Sequence, residues 1–334
     1  MTDLLTIEDL KVELPHGGAM RTVLHGVTLT IGKAEAVGLV GESGSGKSMT
    51  ARAIMRLLPA GAAVSGELLF DDSPVLGWSR SELLQRRLHD IAMVFQDPRA
   101  HVNPVRRIGD FLCEALVVGR GVPVAEARER MIKMLKETGI TDAETRMRQY
   151  PGELSGGLLQ RVMIAAAIGI EPRLLIADEP TTALDVTTQA EVMAILDGLK
   201  GSHELSLLFI THNLDLAAAV CDRTAVMYAG RVVEMRPSPM LHSDPLHPYT
   251  AALLASRPAI DASVRRLPAI AGRPLAAAEA GGGCAFAPRC RYAEERCREQ
   301  IPLLVPTGDG AVACHRADEL RGTLVEAERQ RSVV

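Results

Sequence analysis

Apolar and polar residues alternate in short runs along residues 1–33, for example in Leu5–Ile7, Lys11–Leu14 and Val23–Ile31. A period of two residues is typical of strands with one buried face. His-Gly-Gly at 16–18 interrupts the alternation and provides a turn. The pattern predicts a small antiparallel β layer at the start of the chain.

Short, almost wholly apolar runs follow at wider intervals: Glu35–Val40, Ile91–Phe95, Leu174–Ala177 and Leu207–Ile210. Each run is too short and too apolar for a surface helix, so together they favour a buried parallel sheet. A helical pattern over Lys47–Leu58 is closed by Pro59. The core is therefore predicted to be α/β.

The region of about 97–155 has a different pattern. Apolar residues recur at helical spacing at Ala127, Met131, Met134 and Leu135, and Gly139 stands where a C-cap would end the helix. We interpret this region as a helical insert in the α/β domain.

From about residue 236 the regular pattern gives way to proline, glycine and alanine. Such a composition is typical of a linker and a loop-rich appendage. We therefore predict one domain over residues 1–235 and a C-terminal extension over residues 236–334.

Composition disfavours nucleic-acid binding, since the net charge is −4 and aromatic residues make up 3% of the chain. The N-terminal residues lack the basic and apolar regions of a secretory signal. The longest apolar stretch, Val162–Ile170, is about half of the roughly 20 residues that a membrane span needs. Any membrane role is expected to be peripheral.

The glycine-rich string GESGSGKS runs from Gly41 to Ser48, between a predicted strand and a predicted helix. This G-x-x-x-x-G-K-S pattern is a P-loop, whose backbone N–H groups point at phosphate oxygens. Lys47 is expected to reach the β- and γ-phosphates, and the Ser48 hydroxyl to ligate Mg²⁺. The candidate nucleotide-binding residues here are Gly41, Ser43, Gly44, Ser45, Gly46, Lys47, Ser48 and Met49.

Two acids, Asp178 and Glu179, follow the apolar run Leu174–Ala177. In open α/β sheets, ligands lie at the carboxyl ends of the strands. We assign Asp178 to Mg²⁺, through water or Ser48, and Glu179 to polarising the attacking water. The alternative is that the two acids cap the next helix.

A third motif, Leu-Ser-Gly-Gly, places Ser155, Gly156 and Gly157 at the start of a helix, where they form a second phosphate-sized anion site. One chain has no use for two such sites on one nucleotide, unless the second site serves a partner. With this motif the chain resembles the ATP-binding subunits of ABC transporters, for which LSGG is the signature. The resemblance implies a head-to-tail dimer with two ATP molecules between one chain's P-loop and the other chain's signature.

Further positions match that family one at a time. Gln96 matches the loop glutamine that contacts Mg²⁺ or water and senses the membrane subunits. Asp185, in Ala183-Leu184-Asp185, matches the loop that crosses the dimer interface. His212 matches the switch histidine, which the resemblance places against the γ-phosphate and Glu179.

Two positions depart from the family pattern. Leu159 stands where relatives carry a polar or basic residue, and we expect this change to be minor because the signature itself is intact. The N-terminal loop, which stacks an aromatic ring on adenine in relatives, offers only Leu14 and His16. The resemblance therefore predicts an apolar or imidazole contact to the base.

Several segments narrow the resemblance to the dipeptide and oligopeptide importer ATPases. They are Gln96-Asp97-Pro98, Val102-Asn103-Pro104-Val105, Met227-Tyr228-Ala229-Gly230-Arg231, His247-Pro248-Tyr249-Thr250 and the extension with Cys284, Cys290, Cys297 and Cys314.

Four cysteines in a loop-rich segment of a cytoplasmic protein suggest metal ligands more than disulfides. All-thiolate ligation suits a 4Fe–4S cluster or Zn²⁺, and unligated thiols are the third alternative. The resemblance favours the 4Fe–4S cluster. Because these cysteines lie outside every ATP-contacting motif, we expect a structural role in a segment with little core of its own. Cys290→Ser should loosen residues around 280–320 and have a smaller effect on nucleotide binding.

The combined prediction is an ATP- and Mg²⁺-dependent subunit that energises import of peptides or similar solutes from the cytoplasmic face of the membrane. The implied partners are a second, related ATPase chain, two integral membrane permeases and, indirectly, an extracytoplasmic solute-binding protein. Nickel chelates and oligosaccharides are alternative solutes. Alternative functions are an exporter ATPase, a soluble ABC ATPase of DNA repair or translation, and a non-catalytic regulatory subunit.

Overall fold

The computed structural model describes residues 3–182, 184–256 and 270–324. In these residues the strands are β1 Asp3–His16, β2 Ala19–Gly32, β3 Ala36–Val40, β4 Ala63–Phe70, β5 Ser73–Pro74, β6 Ile91–Val94, β7 Leu174–Asp178, β8 Ser206–Thr211, β9 Arg223–Tyr228, β10 Arg231–Pro237, β11 Val305–Thr307 and β12 Gly310–Val312. The α-helices are α1 Lys47–Ile54, α2 Arg80–His89, α3 Ile108–Glu114, α4 Val124–Glu137, α5 Ala143–Arg146, α6 Gly156–Ile168, α7 Val186–His203, α8 Leu214–Val220, α9 Ser238–Ser243, α10 Pro248–Ala255, α11 Glu295–Glu299 and α12 Ala317–Leu320.

The described residues fall into two compact units. Those within Met1–Leu5, Ile31–Ala36 and Leu69–Thr211 form unit one. Those within Thr6–Thr30, Val37–Leu68 and His212–Val334 form unit two.

Unit one contains a parallel arrangement of three strands, in which β7 pairs with β6 on one side and with β8 on the other. Every residue of β6, β7 and β8 is buried. Strands that are covered on both faces need apolar residues at successive positions, which explains the uninterrupted apolar runs of the sequence. The predicted parallel sheet is confirmed for these strands.

The helical insert of unit one contains α3, a π-helical turn over Ala115–Gly119, α4 and α5. The apolar residues predicted to share a face of α4 are its buried residues, namely Ala127, Met131, Met134 and Leu135. Gly139 ends this helix in the left-handed conformation, with φ of +77°. Its N–H donates to the Lys136 carbonyl at 3.0 Å, and the Ile140 N–H donates to the Leu135 carbonyl at 2.8 Å. This pair of bonds is a Schellman motif, so the predicted C-cap is confirmed.

The N-terminal β layer is longer-stranded than the sequence predicts. β1 and β2 have 14 residues each and are joined at Gly17 and Gly18. Both glycines have positive φ, +58° and +81°, as a two-residue hairpin of type I′ requires. In the sheet, β1 lies between β2 and β4. The predicted antiparallel layer is confirmed.

In unit two, β3 pairs parallel with β9, and β9 forms an antiparallel hairpin with β10. The sheet continues through β12 to β11, both of which come from the C-terminal extension. The sequence predicts only a loop-rich appendage there. Strands of three residues are too short to show a period, so this extension of the sheet could not be detected from the pattern.

Helix α1 ends at Ile54, four residues before the predicted end at Leu58. Arg56 adopts the left-handed conformation, with φ of +49°. The Arg56 N–H donates to the Ala53 carbonyl at 3.0 Å, and the Leu57 N–H donates to the Arg52 carbonyl at 2.7 Å. These bonds form a Schellman motif without the usual glycine. A non-glycine residue at that position gives no sequence signal, which is why the prediction of the helix end is wrong.

Candidate functional site

The P-loop of unit two connects β3 to α1, and its lysine is held inside the loop. Lys47 is 5% exposed. Its Nζ donates to the carbonyl oxygens of Gly41 at 2.8 Å and of Glu42 at 3.1 Å. These bonds hold the ammonium group across the loop, at the N-terminus of a helix, where positive charge attracts phosphate.

Two glycines of the loop are required by the local geometry. Gly46 has φ of +107°, and it is the residue at which the chain enters α1. A Cβ on Gly41 would lie 2.3 Å from the carbonyl oxygen of Met227. Gly46 therefore has a backbone conformation that L-residues disfavour, and Gly41 allows strand β9 to approach the loop closely.

The β9–β10 turn is hydrogen-bonded to the P-loop. Gly230 donates its N–H to the Ser45 carbonyl at 2.8 Å and accepts the His25 N–H at 2.9 Å. The Met227–Arg231 segment appears in the sequence only as a mark of family resemblance. In the structure this segment helps to hold the phosphate-binding loop in place, through the hydrogen bond from Gly230 to Ser45.

The second residue of the P-loop, Glu42, contacts the C-terminal extension. Its carboxylate receives both terminal nitrogens of Arg289, at 2.7 Å and 3.3 Å. Its backbone N–H donates to the Tyr249 hydroxyl at 3.0 Å. Arg289 is adjacent to Cys290, so the cysteine segment, which lies outside the ATP-contacting motifs in the sequence, contacts the P-loop in the fold. The two segments are 247 residues apart in the chain, and only folding brings them together.

The acidic residues of unit one lie where β7 ends. Asp178 is 4% exposed, and Glu179 turns the chain sharply with φ of +47°. The Glu179 N–H donates to the Ile210 carbonyl of the next strand at 2.9 Å. A left-handed conformation at a non-glycine residue costs free energy and is concentrated at functional sites. The turn moves Glu179 out of the strand while Asp178 stays buried.

Gln96 and Glu179, two of the predicted catalytic residues, are in contact. The Gln96 Nε2 donates to Glu179 Oε2 at 3.3 Å. The Thr182 hydroxyl donates to the same oxygen at 2.7 Å. Thr182 was not singled out from the sequence, although its spacing from Glu179 in the turn after a strand is a usable signal.

The signature residues open α6, as predicted. Ser155 is the N-cap, and its Oγ accepts the Leu158 N–H at 3.3 Å. Gly156 is the first residue of the helix. A Cβ on Gly157 would lie 2.5 Å from the Thr188 Cγ2 in α7, so glycine is required for these two helix starts to pack.

Asp185 caps α7, and its carboxylate accepts the N–H and the hydroxyl of Thr188 at 2.9 Å and 2.8 Å. The Thr188 N–H holds the pKa of Asp185 below its ordinary value. The dimer-interface role predicted for this residue stays a prediction. Ala183, of the same motif, lies outside the described residues.

The remaining predicted residues fall at the ends of elements. Ser48 and Met49 lie half-buried in the first turn of α1, and His212 directly follows β8. Leu14 is half-buried near the end of β1, and His16 is exposed there. Their contacts with the base stay a prediction. The departure at Leu159 has a structural reason, because this side chain is fully buried in α6.

The four cysteines of the extension line one cavity, together with His247, Phe286 and Tyr292. A backbone bond from the Cys284 N–H to the Cys297 carbonyl, 2.8 Å long, ties two of the cysteine positions together. Burial and, to a smaller extent, the neighbouring thiols raise the pKa of Cys290 to about 11 and of Cys314 to about 12. Among the described residues, however, no three His, Cys, Asp or Glu side chains are placed to hold a metal ion.

The cysteine segment is not as poor in core as the sequence indicates. Phe286 is 3% exposed and belongs to a buried cluster with residues of β3, α8 and β9. Its ring centroid lies 5.4 Å from that of Tyr228 and 5.3 Å from that of Tyr249. Three of the ten aromatic residues of the chain meet in this cluster, and a composition averaged over 334 residues conceals such local grouping.

No helix in the part of the chain that the structure describes is long and apolar enough to cross a membrane.

A P-loop of this geometry defines a protein of the nucleoside-triphosphate-binding P-loop class. Residues 24–182 match the ABC transporter family, and residues 233–297 match the family described as oligopeptide/dipeptide transporter, C-terminal region. The oligopeptide transport ATP-binding protein OppD of Salmonella typhimurium is 41% identical over 300 residues, 90% of each chain. OppD of Escherichia coli K12 is 40% identical over 316 residues, 95% of this chain and 94% of that one. A Brucella abortus relative, 42% identical over 93% of this chain and 94% of its own length, carries a name that refers to peptide import.

Solved structures agree with this assignment. CbiO1 of Clostridium perfringens, part of an ABC transporter complex, is 29% identical, with a TM-score of 0.61 over 72% of this chain and 90% of that one. A dimeric ATP-binding cassette bound to ADP and Pi is 27% identical, with a TM-score of 0.63 over 70% of this chain and 98% of that one. The chain belongs to the ABC transporter ATP-binding family, in its oligopeptide/dipeptide branch, and is the ATP-hydrolysing subunit of a transporter.

Proposed function

We propose that this chain binds and hydrolyses ATP to energise the import of peptides. The observation that carries the proposal is the P-loop, in which the buried Lys47 donates to the Gly41 carbonyl. The same chain has a C-terminal region of the oligopeptide/dipeptide transporter type. An exporter is disfavoured because the relatives that cover nearly the whole chain are named for oligopeptide transport or peptide import. Nickel chelates and oligosaccharides remain the alternative solutes.

The phosphate-binding residues follow from the loop. Lys47 would neutralise charge on the β- and γ-phosphates, and the loop N–H groups would donate hydrogen bonds to the phosphate oxygens. Ser48 and Asp178, with Gln96, would hold Mg²⁺, because hydroxyl, carboxylate and amide oxygens are the donors that this ion prefers. When bound, that ion supplies charge neutralisation at the phosphates.

Glu179 would accept the proton of the attacking water. Its carboxylate is oriented by the amide of Gln96 and the hydroxyl of Thr182, and an oriented base is what general-base catalysis needs. His212 would contact the γ-phosphate as the switch residue. These roles support hydrolysis by the chain itself, in contrast to a purely regulatory ATP-binding subunit.

The signature at Ser155, Gly156 and Gly157 would act on a partner's nucleotide in a head-to-tail dimer, with Asp185 at the interface. A related cassette of known structure is dimeric, which supports this arrangement. We propose that the partner is a related chain, that two permeases carry the solute, and that an extracytoplasmic binding protein delivers it. The chain would lie on the cytoplasmic face of the membrane, with residues 1–235 as nucleotide-binding domain and residues 236–334 as extension.

The test is ATP hydrolysis by the complete transporter in proteoliposomes. Binding protein loaded with an oligopeptide should stimulate hydrolysis and drive peptide uptake. Binding protein offered a nickel chelate or an oligosaccharide should not. If one of these ligands stimulates ATP hydrolysis and peptides do not, the transported solute belongs to that class and is not a peptide.

We also propose that Cys284, Cys290, Cys297 and Cys314 hold a 4Fe–4S cluster. The support is that the four thiols line one cavity and are the donors that such a cluster takes. Metal binding would have to draw them together, because no three of the described side chains are placed to hold an ion. Zn²⁺ is the alternative that the same donors permit. Bound metal would lower the free energy of the folded segment, because its ligands come from four separate positions along the chain.

Protein purified without oxygen should contain near four irons and acid-labile sulfide per chain, and Cys290→Ser should lose both. Cys113→Ser, which changes a half-buried cysteine of α3, is the matched control and should keep them. About one zinc per chain without sulfide would replace the cluster by a zinc site. Absence of both metals in freshly purified protein would leave the thiols unligated.

A further inference from the structure

We propose that Arg289 is a positioning residue for the P-loop, through which the cysteine-bearing extension sets the affinity for nucleotide. The inference goes beyond the proposed ATPase function and rests on the P-loop as the phosphate site. It assigns a task in nucleotide binding to the extension over residues 236–334, which lies outside the ATP-contacting motifs in the sequence.

All three guanidinium nitrogens of Arg289 donate hydrogen bonds. The Arg289 side chain is 5% exposed, against 23% for its partner Glu42. Besides the two bonds to Glu42, its Nε donates to the Ala271 carbonyl at 2.9 Å. Its Nη1 also donates to the Tyr228 hydroxyl at 3.3 Å. A planar guanidinium fixed on several sides holds a carboxylate in one place, because both ends of the bidentate pair are determined.

A second contact from the extension acts on the backbone of the same P-loop residue. The Tyr249 hydroxyl accepts the Glu42 N–H at 3.0 Å. Tyr249 belongs to α10, is fully buried, and packs against Tyr228 with ring centroids 4.7 Å apart. Side chain and main chain of Glu42 are therefore both held by groups whose own positions are fixed by packing.

The same contacts connect the P-loop to the cysteine cavity. Arg289 directly precedes Cys290, which lines the cavity with Phe286. Phe286 packs on the two tyrosines that contact Arg289 and Glu42. A change in the cavity that moves this short turn must move the guanidinium as well.

The charges of Glu42 and Arg289 should also affect the binding of phosphate. Glu42 is a carboxylate inside a loop whose ligand is a polyanion, and Arg289 neutralises it. Without Arg289 the loop would lose an anchor and would also present an unpaired negative charge to the phosphates. Without Glu42 the loop would lose only the anchor.

This difference makes the inference testable by nucleotide binding to the purified full-length chain, with a fluorescent ATP analogue. Arg289→Met should weaken binding roughly tenfold, which corresponds to about 1.4 kcal/mol. Glu42→Gln should weaken it less. The double variant Arg289→Met/Glu42→Gln should bind more tightly than Arg289→Met alone, because the repulsive charge is gone. Arg289→Lys should recover part of the loss.

Arg273→Met is the matched control, since Arg273 forms an exposed bidentate pair with Glu279 in the same extension. It should bind nucleotide like the wild type. Thermal unfolding without nucleotide, measured for every variant, separates affinity from folding. Wild-type affinity of Arg289→Met, or a double variant weaker than Arg289→Met, would overturn the inference. A wild-type chain that fails to bind ATP would instead overturn the proposed function.

Discussion

The amide of Gln96 donates to the carboxylate of Glu179 at 3.3 Å, so residues that follow two neighbouring parallel strands meet at one edge of the sheet. The bond holds the carboxylate that we assign as general base. It also connects that carboxylate to the loop through which family resemblance places communication with the membrane subunits. A displacement of the Gln96 loop would therefore change the orientation of Glu179.

Glu179→Gln should leave ATP binding intact and lower hydrolysis at this site by roughly 10²–10⁴-fold, since the isosteric amide cannot accept a proton. The measurement is single-turnover hydrolysis by the reconstituted transporter, because a partner with its own complete site would sustain residual steady-state turnover. Glu204→Gln, at an exposed acid that caps the end of α7, should hydrolyse at the wild-type rate. Wild-type hydrolysis by Glu179→Gln would remove the assignment.

Gly41→Ala should destabilise the fold by about 1–3 kcal/mol and abolish nucleotide binding, because the new methyl group would meet a backbone carbonyl of β9 at 2.3 Å. Urea unfolding and ATP affinity are the two measurements. Gly152→Ala adds its methyl group in open space and should change neither. Equal behaviour of the two variants would contradict the close approach of β9 to the loop.

Ser155→Arg should block hydrolysis at the partner's P-loop and leave nucleotide affinity of the isolated chain unchanged, if the signature acts in trans. Loss of the α6 N-cap costs about 1 kcal/mol in addition. Ser155→Ala measures that part separately, by its thermal unfolding. A large loss of affinity in the isolated Ser155→Arg chain would mean that Ser155 serves its own nucleotide.

Glu234 should make stability depend on pH. Burial raises its pKa from 4.5 to about 7, although its two oxygens accept the N–H groups of Leu246 and His247 at 2.8 Å and 2.9 Å. The folded chain therefore binds this proton more tightly than the unfolded chain. The contribution is fully present below pH 4.5 and is lost as pH rises to about 7, so the free energy of unfolding falls over that range.

Urea unfolding from pH 4.5 to 8 tests this prediction. Glu234→Ala should lack this part of the slope below pH 7, with a uniform loss from the unpaired N–H groups. Glu67→Ala, at an exposed acid of β4, should keep the wild-type slope. An unchanged slope in Glu234→Ala would show that another group is responsible.

Features that depend on local pattern can be predicted from the residues alone. Continuous apolar runs predict the buried strands β6, β7 and β8, and helical spacing predicts the buried face of α4. The P-loop is recognisable because backbone approach to phosphate needs glycines at fixed spacing. Asp178 and Glu179 are recognisable because ligands bind where parallel strands end.

Features that depend on long-range contact become visible only in the folded chain. Nothing local to Glu42 or Arg289 indicates a partner 247 residues away, since an ion pair leaves no periodic signal in the chain. The end of α1 at Ile54 depends on a left-handed arginine, and the addition of β12 to β10 depends on a strand of three residues. Such features have little local preference of their own, and packing against distant residues supplies the free energy that selects them.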